Sequence, residues 1–152
     1  MPLTWTCTHH RELSKEALYA ILRLRCEVFV VEQQCPYQDI DGLDLAGDTH
    51  HLQAWEGDRL LAYLRLLPPE APGAAAAIGR VITAPAGRGR GLGHQLMEHA
   101  LQACARLWPG QPLYLSAQAH LQGYYGRYGF QAQGEPYLED DIAHIDMHRA
   151  PA

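Results

Sequence analysis

"AIGRVITAPAGRGRGLGHQLM", residues 77–97, carries three signals in one run. Residues 77–83 are apolar and β-branched enough for a strand. Next come Pro85 and four glycines, Gly87, Gly89, Gly91 and Gly93, interleaved with Arg88 and Arg90. From Gly91 to about Leu107 a helix is expected, with Leu92, Leu96, Met97, Ala100, Leu101 and Cys104 along one side. A strand, a glycine turn and a helix make an anion site. The helix N-terminus presents unpaired N–H groups and a partial positive charge, and glycines let the backbone approach the oxygens. Spacing narrows the guest. A dinucleotide fingerprint needs GxGxxG, but His94 takes the last place after Gly89 and Gly91, and Leu96 takes it after Gly91 and Gly93. A P-loop needs a lysine behind its last glycine, and the only lysine is Lys15. What remains is Arg88-x-x-Gly91-x-Gly93.

Outward from this run, Ser14 caps a helix whose apolar positions Leu18, Ile21, Leu22, Leu24 and Val28 keep helical spacing to about Val31. From Glu32 to Thr49 periodicity disappears, and Pro36, Gly42 and Gly47 suggest a long loop or a short irregular helix. Residues 50–67, "HHLQAWEGDRLLAYLRLL", read as two strands joined at Gly57-Asp58, followed by a proline-rich loop. Trp108-Pro109-Gly110 ends the second helix. Strands are expected at 113–117, 130–134 and 144–148, with a short helix closed by Gly129 among them. The fold class is α/β (α+β): a mixed sheet flanked by helices, expected as a single domain over residues 1–152.

Aspartate and glutamate outnumber lysine and arginine 17 to 12, so the net charge of −5 argues against nucleic acid as a partner. No apolar run approaches the roughly 18 residues of a membrane span. Four cysteines without a CxxC pair, and no leader ahead of them, lead to an expected cytoplasmic location. Of the nine histidines only His144 and His148 share a strand face, so no metal is expected. A homodimer is compatible with all of this.

A second motif gives the turn a family. Tyr124-Tyr125-Gly126-Arg127-Tyr128-Gly129-Phe130 follows some thirty residues on, preceded by Gln118. With Arg88-x-x-Gly91-x-Gly93 it resembles the GNAT N-acetyltransferase superfamily, whose pyrophosphate signature is Gln/Arg-x-x-Gly-x-Gly/Ala and whose tyrosine segment is aromatic-Tyr-x-Lys/Arg-x-Gly-Phe. "LRLRCEVFVVEQQCPYQDIDGLD" at 22–44, with "GRVI" and "AQAHLQ" later, is similar to the ElaA-type branch. The resemblance implies a splayed, GNAT-like mixed sheet with acetyl-CoA as co-substrate between strands 78–83 and 113–117. It implies that Val81, Ile82 and Thr83 lie along the pantetheine arm and acetyl carbonyl, with Gln118 nearby. Arg88, Gly89, Arg90, Gly91, Leu92 and Gly93 would hold the pyrophosphate, and Tyr125 would assist the departing thiolate, either as general acid or through a strong hydrogen bond to the sulfur.

The implied reaction is acetyl transfer to a primary amine of a small molecule or peptide, by direct attack. A lysine-like amine has a pKa of about 10.4, so its neutral form costs roughly 4–5 kcal/mol at pH 7 and a base is useful. Glu32, His51, His120 and water alone stay open as candidates. No lysine or arginine lies between Arg25 and Arg59, while Glu27, Glu32, Asp39, Asp41, Asp44, Asp48, Glu56 and Asp58 supply acids. Glu135, Glu139, Asp140, Asp141 and Asp146 form a second acidic stretch. Facing an acceptor cleft, both would draw a cationic amine; as solvated loops, neither would. Two other functions stay open: an acyl-CoA-binding module without turnover, and transfer of a longer acyl chain. The latter rests on "VFVVEQ" at 28–33, which is similar to acyl-homoserine-lactone synthases.

Overall fold

Residues 2–151 are described by a computed structural model. Seven strands make up its sheet: β1 (Leu3–His9), β2 (His50–Glu56), β3 (Arg59–Leu67), β4 (Ala76–Thr83), β5 (Leu113–Gln118), β6 (Gln131–Glu139) and β7 (Ile142–Arg149). Their order is β1-β2-β3-β4-β5-β7-β6. Every neighbouring pair is antiparallel except β4 with β5. No strand is expected from the sequence ahead of Ser14, yet β1 pairs along β2 from Leu3↔Glu56 to His9↔His50. Its Leu3, Trp5 and Cys7 alternate inward against the core.

Helix α1 (Lys15–Arg25) starts where Ser14 Oγ accepts from the Ala17 amide at 3.1 Å. Over Cys26–Glu32 the helix widens to π geometry, and Gln33 N still reaches back five residues to Val28 O at 3.3 Å. Ile21, Leu24 and Val28 pack one face of the sheet through Tyr63 and Ile82. On the other face, α2 (Leu92–Leu107) buries Leu92, Leu96, Met97, Ala100, Ala103 and Cys104. Each large apolar side chain so buried contributes about 1.5–3 kcal/mol. A third, short helix, α3 (Gln122–Gly126), carries the tyrosine motif. Among the described residues no helix is long and apolar enough to cross a membrane.

Two irregularities open the sheet in its middle. Strands β4 and β5 pair only at Ala76↔Leu113 and Ala77↔Tyr114, then part. Beside that point β4 bulges: Tyr63 faces Ile82 while Arg65 faces Gly79, so two steps along β3 span three along β4. Arg80, in the bulge, takes a φ of +56°.

A lattice of six charged side chains fixes the bulge and the long loop. Arg25 is wholly buried; its Nε donates to Asp39 Oδ2 at 2.9 Å and its Nη1 to Asp44 Oδ1 at 2.5 Å. Arg65 donates to both oxygens of Asp41 at 2.9 Å and to Asp44 Oδ1 at 3.0 Å. Arg80 Nη2 reaches Asp39 O at 3.0 Å and Asp41 Oδ2 at 3.3 Å. Asp39, Asp41 and Asp44 are therefore paired from within the fold and are not a free acidic lining for a cleft. The reason lies in three arginines brought in from α1, β3 and β4.

Burial opposes ionisation of Asp41, but hydrogen bonds from Arg65 and the Leu43 amide, with the charges of Arg65 and Arg80, outweigh it and hold the pKa at about 2. Asp44 is lowered in the same way by Arg25 and Arg65 against its burial. Depressed folded-state values give stability that is whole above the ordinary carboxylate pKa of about 3.9 and lost as pH falls toward the folded value. Urea midpoints are therefore expected to hold steady above about pH 5 and to drop between about pH 4 and 2. Asp44→Ala, which takes one carboxylate partner from each of two buried guanidinium groups, is expected to cost about 3–5 kcal/mol in the same assay.

Candidate active site

The parting of β4 and β5 leaves a cleft of about 510 Å³. Val81, Ile82 and Thr83 form one wall, Tyr114, Ser116 and Gln118 the other, and Arg88 and Tyr125 also line it. Of the residues expected from sequence to hold a cofactor, Val81, Ile82, Thr83, Arg88 and Gln118 thus meet at one opening, and Tyr125 joins them.

At the end of β4 the chain makes a 3-10 turn over Pro85–Gly87 and enters α2. Gly89 and Gly91 have φ of +79° and +71°, values that glycine adopts without strain. Gly91 caps α2, and the first intrahelical bond runs from Gln95 N to Gly91 O at 3.4 Å. The amides of Leu92, Gly93 and His94 consequently have no acceptor inside the helix. Leu92 contributes only that amide, since its side chain is buried in the core. Gly93 has a different reason: a Cβ there would lie 3.0 Å from Tyr124 Oη, so its absence lets α3 pack on the first turn of α2.

The two arginines of the turn diverge. Arg88 donates to Glu32 at 2.7 and 3.2 Å and from Nε to Thr83 O at 3.3 Å, staying beside the cleft. Arg90 instead turns to Glu56 at 2.7 Å and is not part of the lining.

None of the three candidate bases lines the cleft. Glu32 is held by Arg88. His51 is fully buried on β2, where Nε2 donates to Asp44 O at 2.9 Å and Nδ1 accepts from Tyr63 Oη at 2.6 Å. Burial lowers its pKa, with the Asp44 carbonyl and charge opposing. His120 is exposed on the 3-10 turn ahead of α3. Tyr125, by contrast, is buried edge-on to Phe130, and burial with the neighbouring Tyr128 pushes its pKa up to about 12. It is a hydrogen-bond donor throughout the neutral range.

The opposite wall holds a group that sequence reasoning missed. Tyr114 Oη and Tyr137 Oη both donate to Asp146 Oδ1, at 2.8 and 2.7 Å, and Ser116 Oγ is hydrogen-bonded to Tyr137. The signal was slight: outward alternation of Tyr114 and Ser116 along β5, and Asp146 within the second acidic stretch.

Residues 10–150 match the acetyltransferase (GNAT) domain family, and the chain belongs to it. Its class is the GNAT acyl-CoA N-acyltransferases, a fold that implies acyl-CoA binding and enzymes that act on amine acceptors. It is 52% identical to Protein ElaA of Escherichia coli over 147 residues, covering 97% of this chain and 96% of that one. The crystal structure of that ElaA matches with a TM-score of 0.92 at 51% identity, covering 97% and 99% of the two chains. An acyl-CoA N-acyltransferase from Pseudomonas aeruginosa matches with a TM-score of 0.94 at 66% identity, covering 98% and 100%. The CoA-dependent acyl-homoserine lactone synthase BjaI shares the fold, with a TM-score of 0.82 at 20% identity over 99% of this chain and 84% of that one.

The assignment of His51 to the core has a direct check. An ordinary imidazole, with a pKa of about 6.5, is mostly protonated at about pH 5.5. Nitrogen-15 spectra over a pH series are expected to find His51 taking its second proton below that ordinary value, with the neutral ring protonated on Nε2, whereas protonation at or above it would contradict its burial.

Proposed function

We propose that this chain moves an acetyl group from acetyl-CoA to a primary amine, by direct attack in a ternary complex, using a single acetyltransferase domain over residues 1–152. The observation that carries the reading is the gap between β4 and β5, with the glycine turn at the end of β4 and the buried Tyr125 phenol beside it. The pantetheine arm lies along Val81, Ile82 and Thr83, where the bulge and the lost pairing leave backbone groups free of a β5 partner. The pyrophosphate sits on the amides from Gly89 to Gly93, with Gln118 across the gap. Charge-assisted hydrogen bonds contribute about 1.5–3 kcal/mol each, so several together reach the roughly 8 kcal/mol of micromolar binding.

Arg88 changes partner on binding. Its bond to Glu32 joins two groups that are both about half exposed, at 46% and 43%. Such pairs are worth about 0–1 kcal/mol, so a pyrophosphate displaces Glu32 with little penalty. Arg90 acts through its amide only.

Tyr125 donates a hydrogen bond and keeps its proton. Full transfer from a phenol held near 12 to a thiolate whose thiol has a pKa of about 8.5 would cost about 5 kcal/mol. A hydrogen bond to sulfur stabilises the leaving group without that penalty.

The test is release of free thiol from acetyl-CoA against a panel of primary amines, small molecules and peptides, with product mass read in parallel. Tyr125→Phe is expected to lower kcat about 100-fold while calorimetric binding of acetyl-CoA stays near wild type. Binding without thiol release by any amine would instead describe a CoA-binding module. Preference for a longer acyl thioester, seen in the product mass, would replace acetyl by that chain.

A further inference from the structure

With Glu32, His51 and His120 all off the cleft, the proton leaving the amine needs another destination, and the β5 wall supplies one. On β5, Leu113, Leu115 and Ala117 are buried in the core, so Ser116 lies on the opposite face and opens into the cleft. Continuing the parallel register Ala76↔Leu113 and Ala77↔Tyr114 brings Ser116 level with Gly79, next to the Arg80 bulge. Ser116 therefore stands across the gap from Gly79, two residues ahead of Val81, where the stretch proposed for the pantetheine arm and acetyl carbonyl begins.

Behind Ser116 is a connected path. Asp146 on β7 is its direct cross-strand partner. Strand β6 adds two extra residues between Gln133↔Asp146 and Tyr137↔His144, with Gly134 at a φ of +77°, and this bulge brings the Tyr137 hydroxyl between the pair. The single hydroxyl proton of Tyr137 is given to Asp146 Oδ1 at 2.7 Å, so the Ser116 hydroxyl is the donor in its bond to Tyr137. Donors thus point one way, from the cleft to the carboxylate. Glu139 and Asp140 line the same opening, which favours a cationic guest.

We infer that Ser116 is the catalytic residue that takes the acceptor's proton, and that Tyr137 and Asp146 are positioning residues that carry it away; the acceptor class is a primary amine that arrives as an ammonium ion. The inference rests on the acetyl-transfer reading. The ammonium gives one proton to Ser116 Oγ as the Ser116 proton passes to Tyr137 Oη and the Tyr137 proton to Asp146 Oδ1. The neutral amine then attacks the acetyl carbon, the C–N bond forms and the C–S bond breaks. The thiolate, held by the Tyr125 hydrogen bond, takes the second proton that the new amide nitrogen sheds. Asp146 loses its proton to water, and the cycle closes.

The experiment compares two probes on the acetyl-CoA-loaded protein: ethylamine, cationic at neutral pH, and hydroxylamine, largely uncharged there. Ser116→Ala and Tyr137→Phe are each expected to lower kcat with ethylamine about 100-fold and to leave hydroxylamine turnover near wild type. Calorimetric binding of acetyl-CoA is expected to be unchanged in both. Variants that keep the wild-type ethylamine rate, or that lose both probes equally, would overturn the relay alone. A wild-type chain that binds acetyl-CoA but releases thiol with neither probe nor any other amine of the panel overturns the transfer reading and the relay with it. Should Tyr137→Phe fail to fold, Ser116→Ala, at an exposed position, decides the question by itself.

Discussion

Arg25 has no contact with solvent, and its charge is tolerable there only because Asp39 and Asp44 meet it on two sides. Taking an ion out of water costs several kcal/mol even after relaxation, so a lattice of three arginines and three aspartates adds little net stability over apolar packing. Its effect is positional. Asp44 joins α1 to β3 through Arg25 and Arg65, and Asp39 joins α1 to the β4 bulge through Arg25 and Arg80. The loop between the π-helical segment and β2, which has no secondary structure to anchor it, is held by these bonds. So is the bulge, and with it the bend that takes β4 away from β5.

From that bend the rest of the site follows. Two parallel strands that pair for only two positions leave the remaining backbone groups of both edges facing a gap. Buried backbone groups without partners are costly, so a gap of this kind is suited to an extended ligand that supplies bonds of its own. At its end, left-handed Gly89 and Gly91 turn the chain so that the first amides of α2 face outward. Arg88 rests on Glu32 and Thr83 O beside them, a weak pairing that a more highly charged anion can replace.

How legible this was depended on distance along the chain. The strand, turn and helix of residues 77–107 could be read because glycine spacing and helical periodicity are local, and the tyrosine motif because its residues are contiguous. Strand β1 was legible in principle, since Leu3, Trp5 and Cys7 alternate, but the polar residues between them and the strong cap at Ser14 drew the first element to the helix. The fate of the acidic loop was not legible. Nothing in "PYQDIDGLD" tells that Asp39, Asp41 and Asp44 will meet Arg25, Arg65 and Arg80, which lie up to 41 residues away. His51 looked like a free base at a strand end, yet it is sealed between Tyr63 and Asp44. The Ser116, Tyr137 and Asp146 path was hidden for the same reason, because it joins three strands through a bulge that no local pattern announces.

The central claim is that the parted strands and the glycine turn hold the coenzyme. Amide hydrogen exchange with and without CoA reads it most directly. The account predicts slowed exchange at residues 81–83 and 89–94, on the two elements proposed to bond the pantetheine arm and the pyrophosphate. Unchanged exchange there, with protection confined to the exposed side of α1 and the π-helical segment around Tyr19 and Val31, would contradict it.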